Sequence, residues 1–227
     1  MSLVIKKYSS IANKRVRVDG RTVFSDSGGE GYKKFIRAVY KHFNADYPKF
    51  FKMDTLSKLG FMSVEVLLNG EDVSGRFPPE KVGLILSNAS SSLEVDEKHQ
   101  ETIRDREHYF PSPSNFVYTL PNIMAGEAAI RHKFRGENTV LISEHFEPEL
   151  VFDICELAFR SGSLDCCICG WVEQYENNYE SLLFLIERSD DENEGGKSSE
   201  DVIFEPSILR KIYKQENNGR INRKVES

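Results

Sequence analysis

Short apolar runs alternate with amphipathic stretches along the chain, and this order predicts a sheet with helices around it. Strands are predicted at residues 82–86, 139–143, 165–172 and 182–187. The run VGLIL at 82–86 contains no polar residue, which is typical of a central strand covered on both faces. Residues 3–5 and 15–24 also alternate, and Asp19-Gly20 within them predicts a hairpin.

Periodic apolar positions between these runs predict helices. They cover residues 32–43, 55–68, 93–107, 118–134 and 148–159. Asp54 stands as an N-cap before helix 55–68, whose apolar side chains surround most of its circumference and predict that it is buried. Pro148 occupies a position that suits the start of a helix. Buried strands that alternate with helices favour an α/β fold built from βαβ units with right-handed crossovers.

The regular pattern ends after Arg188 and divides the chain into three segments. Residues 1–188 form the predicted domain, and residues 189–206 form an acidic, Gly/Ser-rich loop or linker. Residues 207–227 form a basic C-terminal tail, with six basic and two acidic side chains. A short helix is expected near 207–214, followed by a frayed end.

Composition excludes several classes of protein. A hydrophobic content of 39% and a charged content of 29% over 227 residues are ordinary for a globular domain. The net charge of −6 argues against a general nucleic-acid binder, which would carry a basic excess. The first ten residues do not resemble a signal peptide, and every apolar run is far shorter than the roughly 18 residues that cross a bilayer. We therefore expect neither nucleic acid nor membrane as a partner.

The four cysteines lie close together in sequence. They are Cys155, Cys166, Cys167 and Cys169. A disulfide framework would spread them over loops, so buried, reduced thiols in a cytoplasmic protein are expected. Strand alternation sends Cys167 and Cys169 to one face and Cys166 to the other, which argues against a zinc site. No glycine-rich loop has the spacing of a nucleotide cradle, and Gly170 indicates close packing instead, so no metal and no cofactor are expected.

Three segments carry a more specific combination of residues. Residues 48–68 contain Met53-Asp54 at the start of a helix, residues 111–138 run from PSPSNF to RGEN, and residues 164–174 read LDCCICGWVEQ. Together these segments resemble β-ketoacyl synthases, most closely the short N-terminal-domain type. The resemblance covers residues 48–188 and implies a thiolase-like half-fold, with a mixed central sheet flanked by helices.

The resemblance also locates the position of the family's catalytic cysteine, which follows strand 139–143 at a sharp turn into a helix. An alignment without gaps places His145 there, flanked by Glu144, Phe146 and Glu147 instead of small residues. The family has two further histidines far beyond the cysteine, but the 82 residues that follow His145 contain none. The resemblance therefore implies that decarboxylating condensation is lost. Trp171, where the family has a second glycine, is interpreted as core, or as a side chain that narrows an acyl tunnel.

Three functions remain open at this point. The leading hypothesis is a non-condensing partner or scaffold subunit of fatty-acid or polyketide biosynthesis, which pairs through strand 139–143 as a homodimer or with a full-length ketosynthase. A half-fold would also expose an apolar sheet face that needs a partner. The alternatives are an acyltransferase or thioesterase that uses His145 with Glu144 or Glu147, and an acyl-carrier-protein binding module that docks through tail 207–227.

Overall fold

A mixed sheet organises the chain. The structure, a computed structural model, describes residues 2–26, 28, 31–107, 109–189 and 202–217. The strands in this part of the chain are β1 (Leu3–Ala12), β2 (Arg15–Val18), β3 (Arg21–Ser25), β4 (Val82–Asn88), β5 (Asn138–Ile142), β6 (Cys166–Tyr175), β7 (Asn178–Arg188) and β8 (Val202–Ile203). Their order in the sheet is β3-β2-β1-β7-β6-β4-β5, and β8 pairs with β1. The central strand β4 runs parallel to β5 and β6, whereas the other pairings are antiparallel.

Helices cover both faces of this sheet. They are α1 (Tyr32–His42), α2 (Thr55–Leu68), α3 (Val73–Arg76), α4 (Leu93–Ile103), α5 (Pro113–Tyr118), α6 (Ile123–His132), α7 (Pro148–Arg160) and α8 (Pro206–Asn217), with 3-10 turns at Pro48–Lys52 and Pro79–Lys81. The predicted start of α2 is confirmed, because the Asp54 carboxylate accepts hydrogen bonds from the Leu56 and Ser57 amides. Pro148 is the first residue of α7, where its missing N–H costs no hydrogen bond.

Two apolar cores lie on opposite sides of the sheet. Side chains of α1, α2 and α6 meet one face, and side chains of α7 and α8 meet the other. Strand β6 contributes to both, since Cys166 and Ile168 point into the first core and Cys167 and Cys169 into the second. The predicted mixed sheet flanked by helices is confirmed.

The second sheet face differs from the prediction. The expected uncovered apolar surface is covered by α8, which places Leu209 and Ile212 in the core together with Phe204. Polar contacts hold this helix at both ends. Arg210 pairs with Glu149 of α7, and a Glu216 carboxylate oxygen lies 3.3 Å from an Arg17 guanidinium nitrogen of β2. The chain therefore covers this face with its own residues.

Some local predictions were incomplete. Strand β1 continues to Ala12, well beyond the predicted 3–5, because it pairs with β7 over its whole length. Helix α5 begins at Pro113, between the predicted helices 93–107 and 118–134, where the sequence predicts no helix. The predicted linker lies mostly outside the described residues, as do the basic side chains of the tail beyond residue 217. The predicted domain boundaries therefore stay predictions.

Candidate functional site

The turn between β5 and α7 is short and leads directly into the helix. The Ser143 N–H donates to the Asn88 carbonyl at 3.0 Å and so extends the pairing with β4 by one residue. The Ser143 hydroxyl then donates to the His145 carbonyl at 2.9 Å. Glu147 is the N-cap residue of α7, but its side chain makes no capping hydrogen bond. These contacts fix the backbone of the turn.

The three predicted site residues do not meet. His145 and Glu144 are exposed, and Glu147 is half-buried. Among the residues that the structure describes, the His145 imidazole forms no hydrogen bond or ion pair with either glutamate. A catalytic histidine is normally oriented by an acceptor on its second ring nitrogen. Within the described residues, no hydrogen bond or ion pair therefore joins His145, Glu144 and Glu147 into one site.

Phe146 points into the molecule from the middle of this turn. Its side chain is 4% exposed, and its ring centroid lies 6.3 Å from that of Trp171 and 5.0 Å from that of Tyr213. Trp171 belongs to β6 and Tyr213 to α8, so three separate elements contribute to one aromatic cluster. Large aromatic rings at these separations make edge and tilted contacts that exclude water. The space behind the turn is thus occupied by Phe146, Trp171 and Tyr213, which we call the aromatic plug.

A buried carboxylate satisfies the polar atoms of the aromatic plug. Glu180 of β7 is 5% exposed, and its Oε1 accepts from the Trp171 indole N–H at 2.9 Å and from the Tyr213 hydroxyl at 3.1 Å. Burying these two donors without an acceptor would cost free energy. Trp171 is therefore a core residue, which agrees with the first of the two interpretations of this tryptophan from the sequence.

Gly170 brings β6 and β7 together beside Trp171. Its φ angle is +139°, and a Cβ atom at this position would lie 2.1 Å from the Leu182 carbonyl oxygen. Only glycine fits such an approach without backbone movement. The predicted role of Gly170 in close packing is confirmed.

Three of the four cysteines lie in the same core as the aromatic plug. All four are buried and none forms a disulfide. Cys155 of α7 faces Cys167 and Cys169 across the second core, and Cys166 lies on the other side of the sheet. Burial raises the pKa of the Cys155 and Cys167 thiols well above the ordinary value, which favours the protonated form over the nucleophilic thiolate. The predicted burial of these thiols, without disulfides, is confirmed.

Glu180 and Tyr213 were not singled out from the sequence. Glu180 lies in a strand whose other residues are mostly apolar. A carboxylate buried in such a strand needs polar partners, and that need was the signal in the sequence. Tyr213 continues the apolar stripe that Leu209 and Ile212 begin on α8. That helical spacing was the available signal.

The described residues also lack two other features. None of their helices combines the length and apolar character that crossing a membrane requires. In the same residues, no three His, Cys, Asp or Glu side chains are grouped so that they could hold a metal ion.

Solved structures match this architecture, although no family model and no curated protein matches the sequence. A chain of the ishigamide ketosynthase/chain length factor aligns with a TM-score of 0.57 and 16% identity, covering 84% of this chain and 63% of that one. The fold is that of the β-ketoacyl synthases. The predicted thiolase-like architecture is therefore confirmed.

Two further ketosynthase structures agree. One is a type II polyketide synthase acyl-carrier protein in complex with its ketosynthase, bound to the hexaketide (TM-score 0.54, 13% identity, 82% of this chain and 62% of that one). The other is a ketosynthase in complex with its chain length factor from Xenorhabdus doucetiae (TM-score 0.53, 13% identity, 83% and 80%). The chain spans less than two thirds of the length of the first two ketosynthase-fold chains.

Proposed function

We propose that this chain is a non-condensing subunit with a ketosynthase fold, which pairs with a second subunit in fatty-acid or polyketide biosynthesis. The observation that carries the proposal is the aromatic plug behind the β5–α7 turn. Acyl transfer to a protein nucleophile needs a thiolate or an activated hydroxyl, and space for the acyl chain beside it. Phe146, Trp171 and Tyr213 fill that space, and the exposed His145 side chain has no hydrogen-bond or ion-pair partner among the described residues.

The open edge of the sheet supports pairing. Among the strands that the structure describes, β5 pairs with β4 on one side and has no neighbour on the other. Since the Ser143 N–H points to β4 and N–H directions alternate along a strand, the N–H groups of Ile142 and Val140 point away from it. Such an edge is a template for a strand of a second subunit. The resemblance to ketosynthases implies pairing through this strand.

Exposed apolar side chains lie in β5 itself, in the neighbouring helix α6 and in the segment around α5. They are Tyr109, Phe110, Phe116, Val117, Leu120, Ile130 and Ile142, with Phe110 at 81% exposure. They belong to the segment around α5, to α6 and to β5, and α6 contacts both α5 and β5. An apolar surface of this kind, next to an unpaired strand, is typical of a protein–protein interface.

The partner is a second copy of this chain or a full-length ketosynthase, with an acyl carrier protein as a further partner. The solved chains of similar fold come from a ketosynthase with its chain length factor and from a ketosynthase with its acyl-carrier protein. By analogy of fold, a chain without condensing residues takes the place of the non-condensing subunit.

Association is tested with a proline in the open edge. Val140→Pro removes an N–H that points away from β4, so the internal ladder stays intact while an intermolecular ladder loses a donor. The control, Val23→Pro, lies in β3 at the opposite edge, where a register shift leaves Val23 without a partner in β2. Size-exclusion chromatography with light scattering should give a dimer, or a complex with an added ketosynthase, for the wild type and Val23→Pro only. A wild-type monomer that ignores the ketosynthase would refute the proposal.

The absence of catalysis is tested separately. Incubation with acyl and malonyl thioesters should give neither condensation nor hydrolysis above the rate without protein. Turnover that His145→Ala abolishes would instead establish the acyltransferase or thioesterase alternative, which stays a prediction.

A further inference from the structure

A cleft on the opposite side of the sheet from the aromatic plug collects positive charge. Its volume is about 200 Å³, and it lies between α1, the start of α2, α4 and α5. Four lysines line it, namely Lys33, Lys52, Lys58 and Lys98. Asp54 is the single carboxylate among the described residues that line it. This local excess contrasts with the net charge of −6 of the whole chain.

The positive charges in this lysine cleft are only partly neutralised by carboxylates of the chain. The Asp54 carboxylate is engaged by the Leu56 and Ser57 amides at the start of α2. Lys98 pairs with Glu94, but Lys33 and Lys52 form no hydrogen bond or ion pair within the described part of the chain. Two ammonium groups are therefore available to a ligand at the rim of the cleft.

Lys58 lies deeper and is held in place. Its ammonium group donates to the Met53 carbonyl and lies 5.9 Å from the centre of the Phe50 ring. Burial lowers the pKa of Lys58, and the charges of Arg37, Lys33 and Lys98 lower it further against the opposing charge of Asp54. The ammonium groups repel one another at this half-buried site when no ligand is bound. A bound anion would offset that repulsion.

The size of the cleft and its polar side chains limit the kind of anion. Pockets that take drug-sized ligands have volumes of roughly 300–1,000 Å³, so a smaller cleft suits a compact group. Asn115 of α5 adds amide donors beside the lysines. A diphosphate carries negative charge on several oxygens within a small volume. Several ammonium groups and a neutral donor around a small cleft can bind those oxygens together.

We propose that the lysine cleft binds the diphosphate group of a small phosphorylated ligand, a site that is independent of the pairing proposed above. Lys33 and Lys52 contact the anion from the rim, and Lys58 and Asn115 contact it from the wall. The diphosphate is free or belongs to a nucleotide. Inorganic pyrophosphate and ADP separate these two sources, because tighter binding of ADP means that the nucleoside is also contacted, and equal binding means that only the diphosphate is recognised.

Titration calorimetry of the full chain at low ionic strength tests the site. The wild type should bind inorganic pyrophosphate, and Lys33→Gln with Lys52→Gln should weaken binding by about tenfold or more. The control, Lys34→Gln with Lys41→Gln, removes the same charge from exposed positions of α1 outside the cleft and should bind like the wild type. Thermal melting should show that neither double variant is less stable.

Two results would overturn the site. One is a wild-type protein that binds neither pyrophosphate nor ADP at millimolar concentration. The other is equal weakening in the cleft variant and in the control, because binding would then follow net charge and not the cleft.

Discussion

His145 and Phe146 are neighbours in the chain but lie in different surroundings. The resemblance drew attention to His145, whereas the structure places that side chain in solvent and buries Phe146 instead. From the sequence, one could predict that the turn is bulky and acidic. Which of its side chains points inward depends on Trp171 and Tyr213, which approach from other elements. The burial of Phe146 and the exposure of His145 are therefore set by packing against other elements, which the sequence of the turn alone does not show.

The two neighbours should differ sharply in their effect on stability. Phe146→Ala removes a buried ring and leaves a cavity beside Trp171, so we expect the free energy of unfolding to fall by about 3–5 kcal/mol. His145→Ala removes an exposed side chain that has no partner among the described residues, and we expect a change within about 0.5 kcal/mol. Urea denaturation measures both. Similar losses in the two variants would mean that the plug does not support the fold.

Helix α2 shows what the sequence specifies at the scale of one element. Its bounds were predicted without error, because the Asp54 cap and the Asn69-Gly70 end are local signals and its apolar residues are strongly periodic. Helix α8 was predicted only as a short helix near 207–214. Its apolar stripe is present in the sequence, but the basic residues around it suggested a solvated tail. The spacing of apolar residues shows that a helix is amphipathic. It does not show which surface of the protein the apolar side of the helix packs against.

The contact between α2 and α6 should depend on pH. Burial alone would raise the pKa of Glu65, but the side chains of His132 and Arg131 beside its carboxylate outweigh burial and hold the pKa below the ordinary value of 4.5. The His132 Nε2 atom lies 2.7 Å from the carboxylate. Since the folded state lowers this pKa, the stabilisation is complete above the unfolded value and is lost as the pH falls through the folded one.

Glu65→Gln makes that dependence measurable. The variant should be less stable than the wild type at neutral pH, and its stability should fall less steeply below about pH 5. Thermal melting over an acid series gives both slopes. Parallel pH profiles for the two proteins would show that Glu65 does not contribute through its charge.

The role of α8 is checked by comparing its two sides. Leu209 is fully buried in the second core, so Leu209→Ala should lower the free energy of unfolding by about 2–5 kcal/mol. Lys211 is exposed on the same helix, and Lys211→Ala should change it by less than about 0.5 kcal/mol. Chemical denaturation compares them. If both substitutions had little effect, α8 would not be the cover of this sheet face.

At the scale of the whole molecule, the fold class was predictable and the assembly of distant segments was not. Buried strands alternating with helices indicated an α/β sheet, and the motif segments indicated a ketosynthase fold. The position of β1 between β2 and β7 follows from pairing between the two ends of the domain, which local periodicity cannot show. The lysine cleft likewise draws its side chains from separate elements, each of which looks like an ordinary charged surface in the sequence.

The most direct test of pairing through β5 is amide hydrogen exchange along the sheet, measured with and without a full-length ketosynthase and at low and high protein concentration. We expect deuterium uptake at residues 138–142 to fall as the complex or dimer forms, because their outward N–H groups then enter an intermolecular ladder. Uptake at residues 21–25, in the opposite edge strand, should stay the same. If a complex forms while uptake at 138–142 is unchanged, the chain does not pair through β5. If no complex or dimer forms at all, the chain is not a paired subunit.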